Sequence, residues 1–298
     1  MALASIDIGS NSVLLLVAER QKTGDLLDIE ERMEVTRLSD GIGAGGELGE
    51  LPIERTADAV VAFVNRAREL GAKDVIARGT AGLRNATNAG RFIERVRARC
   101  GVTIQVISGD EEARCAYLAG RGTAPNAAQR IAVVDIGGAS TEFTFGRGPE
   151  MDTRMSLPIG AVRLTEAFFR KDPVADAEVE TLLAHLREVL AKPMAEGPVD
   201  AVIGIAGTFT DLAAAHLGLE KYDPLRIEGA ALDADALDRL VERLQRSTIA
   251  ERRQIRGLHP KRADVILAGA LIAREVPRAL GRREVRISRR GLRHGLLL

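Results

Sequence analysis

Tryptophan is absent from this 298-residue chain, and aromatic residues make up only 3% of it. Few rings are on offer for stacking bases, which argues against single-stranded nucleic acid as a ligand, and the cores must be built from Ala, Leu, Val and Ile. Cysteine is scarce: Cys100 and Cys115 form no Cys-x-x-Cys pair, and no histidines cluster near them. A zinc site and a disulfide framework are thereby argued against, and both residues read as packed thiols. Net charge is missing too, because 42 basic and 42 acidic residues cancel. The molecule as a whole has no pull on nucleic acid or an anionic membrane, so any polyanion must be held by local chemistry. No apolar run approaches the roughly 18 residues of a membrane span, and the start, MALASIDIGS, has no basic segment ahead of a long apolar one. A cytoplasmic protein without a membrane or nucleic-acid partner is expected.

What is present is a repeat. ALASIDIGSNS at residues 2–12 and IAVVDIGGAST at residues 131–141 share one design: an apolar strand, Asp-Ile-Gly, then small hydroxylated residues. Asp7 and Asp135 are equivalent positions in it. Each repeat starts one half of the chain, and at about 100 to 200 residues per domain two domains are expected. GTAPNAAQR supplies the boundary, dividing the chain into residues 1–122 and 123–298. After each glycine turn the sequence continues as a strand, VLLLVAE or TEFTF, and Gly24 and Asp25 read as the next turn. The glycines therefore join two strands, unlike a Rossmann or P-loop turn, which opens a helix. Apolar spacing predicts helices over 52–70, 88–99, 176–192, 233–246 and 263–280, with another starting in SGDEEARCAYLAGRG, and EVRIS as a late strand.

Glycines at such hairpin tips leave backbone N–H groups uncovered, and consecutive N–H groups bind anionic oxygens. Gly9, Ser10, Asn11 and Ser12 form one candidate phosphate loop; Gly137, Gly138, Ala139, Ser140 and Thr141 form the other. Gly207 and Thr208, in the strand-turn-helix pattern VDAVIGIAGTFTDLAAA, offer a third contact. Neutral donors leave Asp7 and Asp135 unexplained, since a bare carboxylate is repelled by phosphate. Either the two acids merely cap turns, or a magnesium ion takes carboxylate and phosphate oxygens together. Glu142 would then be a further ligand, or would orient the attacking water.

In SGDEEAR, Ser108 and Glu111 make a capping box, and acids suit a first helical turn. Glu112, about 100° round the helix from Glu111, is not demanded by the cap and is a candidate catalytic base. Arg84, in the small-residue loop GTAGLRNATN, is either solvated or a bidentate phosphate clamp. ERRQIRGLHPKR and GRREVRISRRGLRHG read mainly as solvated basic faces, with a polyanion track as the alternative.

Assembled in order, DIGSNS, GTAGLRNATN, VISGDEEARCAYLAG, DIGGASTE, GIAGTFTDLAA, RADVILAGALI and ISRRGLRHGLL resemble the exopolyphosphatase and guanosine pentaphosphate phosphatase family of the actin, sugar-kinase and heat-shock-chaperone superfamily. The resemblance implies an α/β fold of two ribonuclease-H-like, actin-like domains with a cleft between them, in the short two-domain form. It implies removal of terminal orthophosphate from inorganic polyphosphate, with guanosine pentaphosphate as a second substrate and Mg2+ or another divalent cation as cofactor. Glu112 becomes the general base, Asp135 and Glu142 fall at metal and water positions beside Asp7, and Arg84 at the family's first-domain arginine. A homodimer is a further expectation. A kinase of the same superfamily and a non-catalytic polyphosphate or alarmone sensor are the rival readings. Four positions depart from the family pattern: Ala139 and Ala206 replace glycine, and Arg289 and His294 replace an aspartate and a glutamate, making the C-terminal end more basic.

Overall fold

The structure is a computed structural model that describes residues 2–22, 26–42, 45–126 and 128–298. Gly24 and Asp25 of the expected turn, and Ala127 of the expected boundary segment, lie outside the described residues. The chain divides into two compact units, Met1–Cys115 with Leu292–Leu298, and Ala116–Gly291.

The first unit is built from β1 (Ala2–Ile8), β2 (Ser12–Arg20), β3 (Leu26–Val35), α1 (Glu50–Glu69), β4 (Val75–Gly79), α2 (Ala81–Arg84), α3 (Ala89–Cys100), β5 (Ile104–Val106) and the start of α4 (Gly109–Gly120). The second runs through β6 (Arg130–Ile136), β7 (Thr141–Arg147), β8 (Glu150–Leu157), α5 (Ala161–Phe168), α6 (Asp176–Met194), β9 (Ala201–Ile205), α7 (Ala206–His216), α8 (Pro224–Ile227), β10 (Ala231–Asp233), α9 (Ala234–Arg246), α10 (Ile249–Arg252), α11 (Ile266–Ala279) and β11 (Glu284–Ile287). A last short helix, α12 (Leu292–Gly295), returns to the first unit.

The first sheet has the order β3-β2-β1-β4-β5; the second, read from its far edge, runs β8-β7-β6-β9-β11-β10. In both, the opening strand pairs antiparallel with its hairpin partner and parallel with the strand that follows the first crossover. Each unit is thus ribonuclease-H-like, the second carrying β10 as an added edge strand. The period-two alternation of strands divides side chains between two faces. Ala4, Ile6 and Ile8 enter one core with Val60, Val64, Phe92 and Val96 of the helices, which turns Ser5 and Asp7 to the opposite face. In β6, Ala132, Val134 and Ile136 enter the main core of the second unit, whereas Ile131 and Val133 pack with Tyr117. Asp135 shares the face of Ile131 and Val133.

The helices expected over 52–70, 88–99, 176–192, 233–246 and 263–280 are α1, α3, α6, α9 and α11 within a few residues at each end. Sequence reading missed β8, whose side chains alternate between exposed and partly covered, as an edge strand allows. It also missed α5 and α12. Cys100 and Cys115 are both free and partly buried, and burial pushes the Cys115 thiol up.

The division differs from the expected 122/123 boundary in two places. The chain leaves the first unit within α4, seven residues earlier than expected, and its last seven residues come back. Their return has specific causes. Arg293 donates to Leu15 O at 3.1 Å and pairs with Glu31 at 2.8 Å, and Ser5 Oγ donates to Arg293 O at 2.8 Å. Leu297 packs on Leu16, Ala18 and Leu26, and Arg20 donates to its carbonyl. His294, expected to make the C-terminal end more basic, is 1% exposed and meets Asp28 at 3.3 Å; burial lowers its pKa. Among the described residues no helix is long and apolar enough to cross a membrane. Because Leu297 closes this face, Leu297→Ala should cost about 2 to 4 kcal/mol and loosen β1 to β3 in hydrogen exchange. Unchanged exchange there would show that the tail is dispensable.

Candidate active site

Both glycine turns are hairpin tips, and they are built alike. Gly9 N–H donates to Ser12 O at 3.0 Å and Gly137 N–H to Ser140 O at 2.9 Å. The registers correspond: Asp7 faces Leu14 where Asp135 faces Glu142. Behind each tip, a threonine from the segment just beyond the strand that follows the crossover braces the equivalent carbonyl. Thr80 Oγ1 donates to Ile8 O at 3.4 Å, and Thr208 Oγ1 to Ile136 O at 3.1 Å. Thr80 was not among the expected site residues, because its equivalence to Thr208 emerges only when β4 and β9 pair with β1 and β6.

The second tip shows how an N–H cradle is made. Its carbonyls are drawn into the start of α5: Ala161 N–H donates to Gly137 O at 2.9 Å, Val162 N–H to Gly138 O at 2.9 Å, and Arg163 Nε to Ala139 O at 2.9 Å. These peptides are trans, so each carbonyl and the next N–H point in opposite directions. The N–H groups of Gly138, Ala139 and Ser140 therefore face away from α5. Among the described residues they have no acceptor. The close approach requires Gly160, where a Cβ would collide with Gly138 O. In the first tip, Ser39 N–H takes Ser10 O at 3.1 Å, while Thr36 and Arg37 N–H groups take Asn11 O at 3.0 and 2.9 Å. The Asn11 N–H is turned away from that segment by the same geometry.

The carboxylates sit beside these tips. Asp7 is only partly exposed, and its Oδ1 is covered without a hydrogen-bond partner. Burial pushes its pKa up to about 6, against the opposing pull of the Arg293 cation. Asp135 and Glu142 are directly opposite across β6 and β7, an arrangement that is unfavourable for two like charges. Glu142 Oε1 accepts from Ser140 Oγ at 2.5 Å and Ser156 Oγ at 2.8 Å. Ser156 lies on the unpredicted β8, so this brace was hidden from the sequence.

Arg84 is not in a loop. It ends the one-turn helix α2, and its Nη1 donates to Ile107 O at 2.9 Å and Glu112 Oε2 at 3.2 Å. Ser108 Oγ accepts the Glu111 N–H at 3.1 Å as the cap predicts. Glu111 stays exposed, while the Glu112 side chain is 18% exposed and held by Arg84. The structure thus separates the two glutamates and brings Arg84, Glu112 and the carbonyl before α4 together.

At the third turn, Ala206 adopts φ of +66°, a left-handed conformation that costs an alanine roughly 1 to 2 kcal/mol. Ala139 needs no such conformation. Gly207 lies against the Arg262 guanidinium, where a Cβ would collide. Arg262 meets Asp211 at 3.4 Å, with both side chains nearly buried, and burial pushes Asp211 up to about 6 despite that cation. The segment ERRQIRGLHPKR is therefore not simply a solvated face. Arg252 is 1% exposed with its Nε on Leu244 O at 2.8 Å, and Arg262 supports the third turn.

Residues 16–298 match the Ppx/GppA phosphatase family. Exopolyphosphatase 1 of Mycobacterium tuberculosis is 31% identical over 302 residues, covering 100% of this chain and 88% of that protein. Exopolyphosphatase 2 of the same organism is 31% identical over 291 residues, 94% of this chain and 91% of that one. Among solved structures, the Aquifex aeolicus member of the Ppx/GppA family matches with a TM-score of 0.85 at 36% identity, covering 100% of this chain and 96% of its own. An exopolyphosphatase from Cytophaga hutchinsonii matches with a TM-score of 0.90 at 25% identity, covering 100% and 96%.

A raised folded-state pKa favours the protonated acid, so the contribution of Asp7 to stability is full below about 4 and is lost as pH rises through about 6. Asp7→Asn should then be more stable than the parent by about 3 kcal/mol at pH 7.5 and nearly equal to it at pH 4, as read from urea melts. Equal stability at both pH values would mean that Asp7 is not strained by its burial.

Proposed function

Since the chain belongs to the Ppx/GppA phosphatase family, we propose that it is an exopolyphosphatase that removes terminal orthophosphate from inorganic polyphosphate, with guanosine pentaphosphate as a second substrate. The observation that carries the reading is the second hairpin tip, where three N–H groups face away from α5 beside two opposed carboxylates. Phosphate oxygens suit the donors. The carboxylates alone do not suit phosphate, and a divalent cation reconciles them.

We infer that Asp135 and Glu142, opposed across β6 and β7, would hold such an ion, magnesium or another of its charge. When bound, the ion would supply positive charge that offsets the carboxylates and the phosphate. The remaining work belongs to this chain. The N–H groups of Gly138, Ala139 and Ser140, with the Ser140 hydroxyl, hold the terminal phosphate. Glu112, oriented by Arg84, accepts a proton from water as its oxygen bonds to phosphorus. The anhydride oxygen leaves with the shortened chain, and orthophosphate is released. Glu142, fixed by Ser140 and Ser156, keeps its carboxylate in one orientation. Phosphoryl transfer of this kind depends mainly on positioning and charge neutralisation.

The test is orthophosphate release from polyphosphate, guanosine pentaphosphate and ATP by the parent, Glu112→Gln and Glu111→Gln. Loss of the base should lower turnover by roughly 10²- to 10⁴-fold while substrate binding survives. Glu111→Gln should stay near the parent rate, because its side chain is exposed and only its backbone N–H meets Ser108. Equal, small losses in both would remove Glu112 from the reaction. Tight binding without turnover by the parent would mean a sensor, and phosphate passed only to an added hydroxyl acceptor a kinase.

A further inference from the structure

The turn after β11, Ser288 to Gly291, is the one arginine-bearing motif that the reading above leaves unused. β6, β9 and β11 run parallel as neighbours in that order, so their carboxyl ends emerge on one edge of the sheet. There the 137–140 tip, the 206–208 turn and the 288–291 turn follow one another. In parallel sheets this edge is where ligands bind. The third member is rigidly held. Ser288 N–H donates to Gly204 O at 2.9 Å, and Glu228 accepts from Ser288 Oγ at 3.1 Å, Arg289 N–H at 2.9 Å and Thr123 Oγ1 at 2.5 Å.

That use of Glu228 matters for what is left over. Its carboxylate is taken up by hydroxyl and backbone donors, and Arg290 N–H turns back onto Ser288 Oγ at 3.2 Å. Among the described residues no carboxylate or carbonyl accepts from the Arg290 guanidinium, and its Nε is wholly covered without a partner. Arg163, Arg252 and Arg278 each hold at least one acceptor, respectively Ala139 O, Leu244 O and Asp238, although Arg252, Arg262 and Arg289 each keep one covered nitrogen without a partner, as Arg290 does. A covered cationic donor without an acceptor is costly. A phosphate would pair with the other N–H groups of this guanidinium and neutralise its charge, since guanidinium and phosphate match in charge and geometry.

We propose that Arg290 is a specificity-determining residue that binds a phosphate further along the polyphosphate chain than the one held at the 137–140 tip. The proposal rests on the polyphosphate reading above. Two strand spacings separate the turn after β11 from the tip after β6, about 10 Å. A long polyanion can span both, whereas a short one held at the tip leaves Arg290 empty. Arg290 would therefore act on KM for long chains and leave the chemical step alone.

Arg290→Ser, Arg290→Gln and Arg290→Lys are to be compared with the parent on tripolyphosphate and on long-chain polyphosphate. Steady-state kinetics give turnover, and calorimetry with Glu112→Gln in each background gives binding without it. Loss of a charge-assisted contact should raise KM and Kd for the long chain about tenfold or more. It should leave kcat and every tripolyphosphate value unchanged, and lysine should restore part of the loss. Equal effects on both lengths, or none on either, would overturn the proposal, as would a parent that binds neither. A parent that binds long chains in an Arg290-dependent way without releasing orthophosphate would instead sink the hydrolase reading and leave Arg290 in place. Thermal melts of the three variants confirm that each is folded, and the glutamine and lysine forms keep the test open if serine unfolds the turn.

Discussion

A carboxylate stripped of water without gaining a donor costs free energy that the rest of the fold must supply. Much of this molecule is arranged around that constraint. Asp7 has a covered oxygen with no partner, and burial pushes its pKa up to about 6 against the opposing pull of Arg293. Asp135 is set opposite Glu142 in strict register. Neither arrangement suits a protein selected only for stability. The proposed function would relieve both, because it brings positive charge with the ligand.

The surrounding elements read as devices for holding that arrangement. Both units use one topology, in which the Asp-bearing strand lies at the centre of the sheet and a threonine just beyond its parallel neighbour braces the carbonyl beside the acid. The C-terminal tail returns to the first unit to place Arg293 behind Asp7. In the second unit α5 consumes the loop carbonyls, which leaves only N–H groups facing outward. Arg262 and Asp211 fill the space under the third turn, where a larger residue than Gly207 has no room.

How far this was legible in the sequence follows from the range of each interaction. The two hairpins were readable because strand, acid, glycine and hydroxyl all lie within eleven residues, and the Ser108 cap because it spans three. The long helices were readable from apolar spacing. The Thr80 and Thr208 pairing, the Ser156 brace, the Arg163 contact and the Arg262 and Asp211 pair join residues far apart in the chain, so no local pattern carried them. α12 is too short for periodicity, and β8 too exposed for an apolar signature. The strain at Ala206 was foreseeable as an alanine where the related family has glycine; only the backbone showed that Ala206, and not Ala139, bears it.

The claim on which everything else depends is that a divalent cation completes these carboxylates. Orthophosphate release from polyphosphate in excess chelator, before and after magnesium is restored above the chelator, tests it most directly. The account predicts no release in chelator and recovery of the full rate with magnesium, with Asp135→Asn requiring more of the metal. Undiminished release in chelator would contradict it.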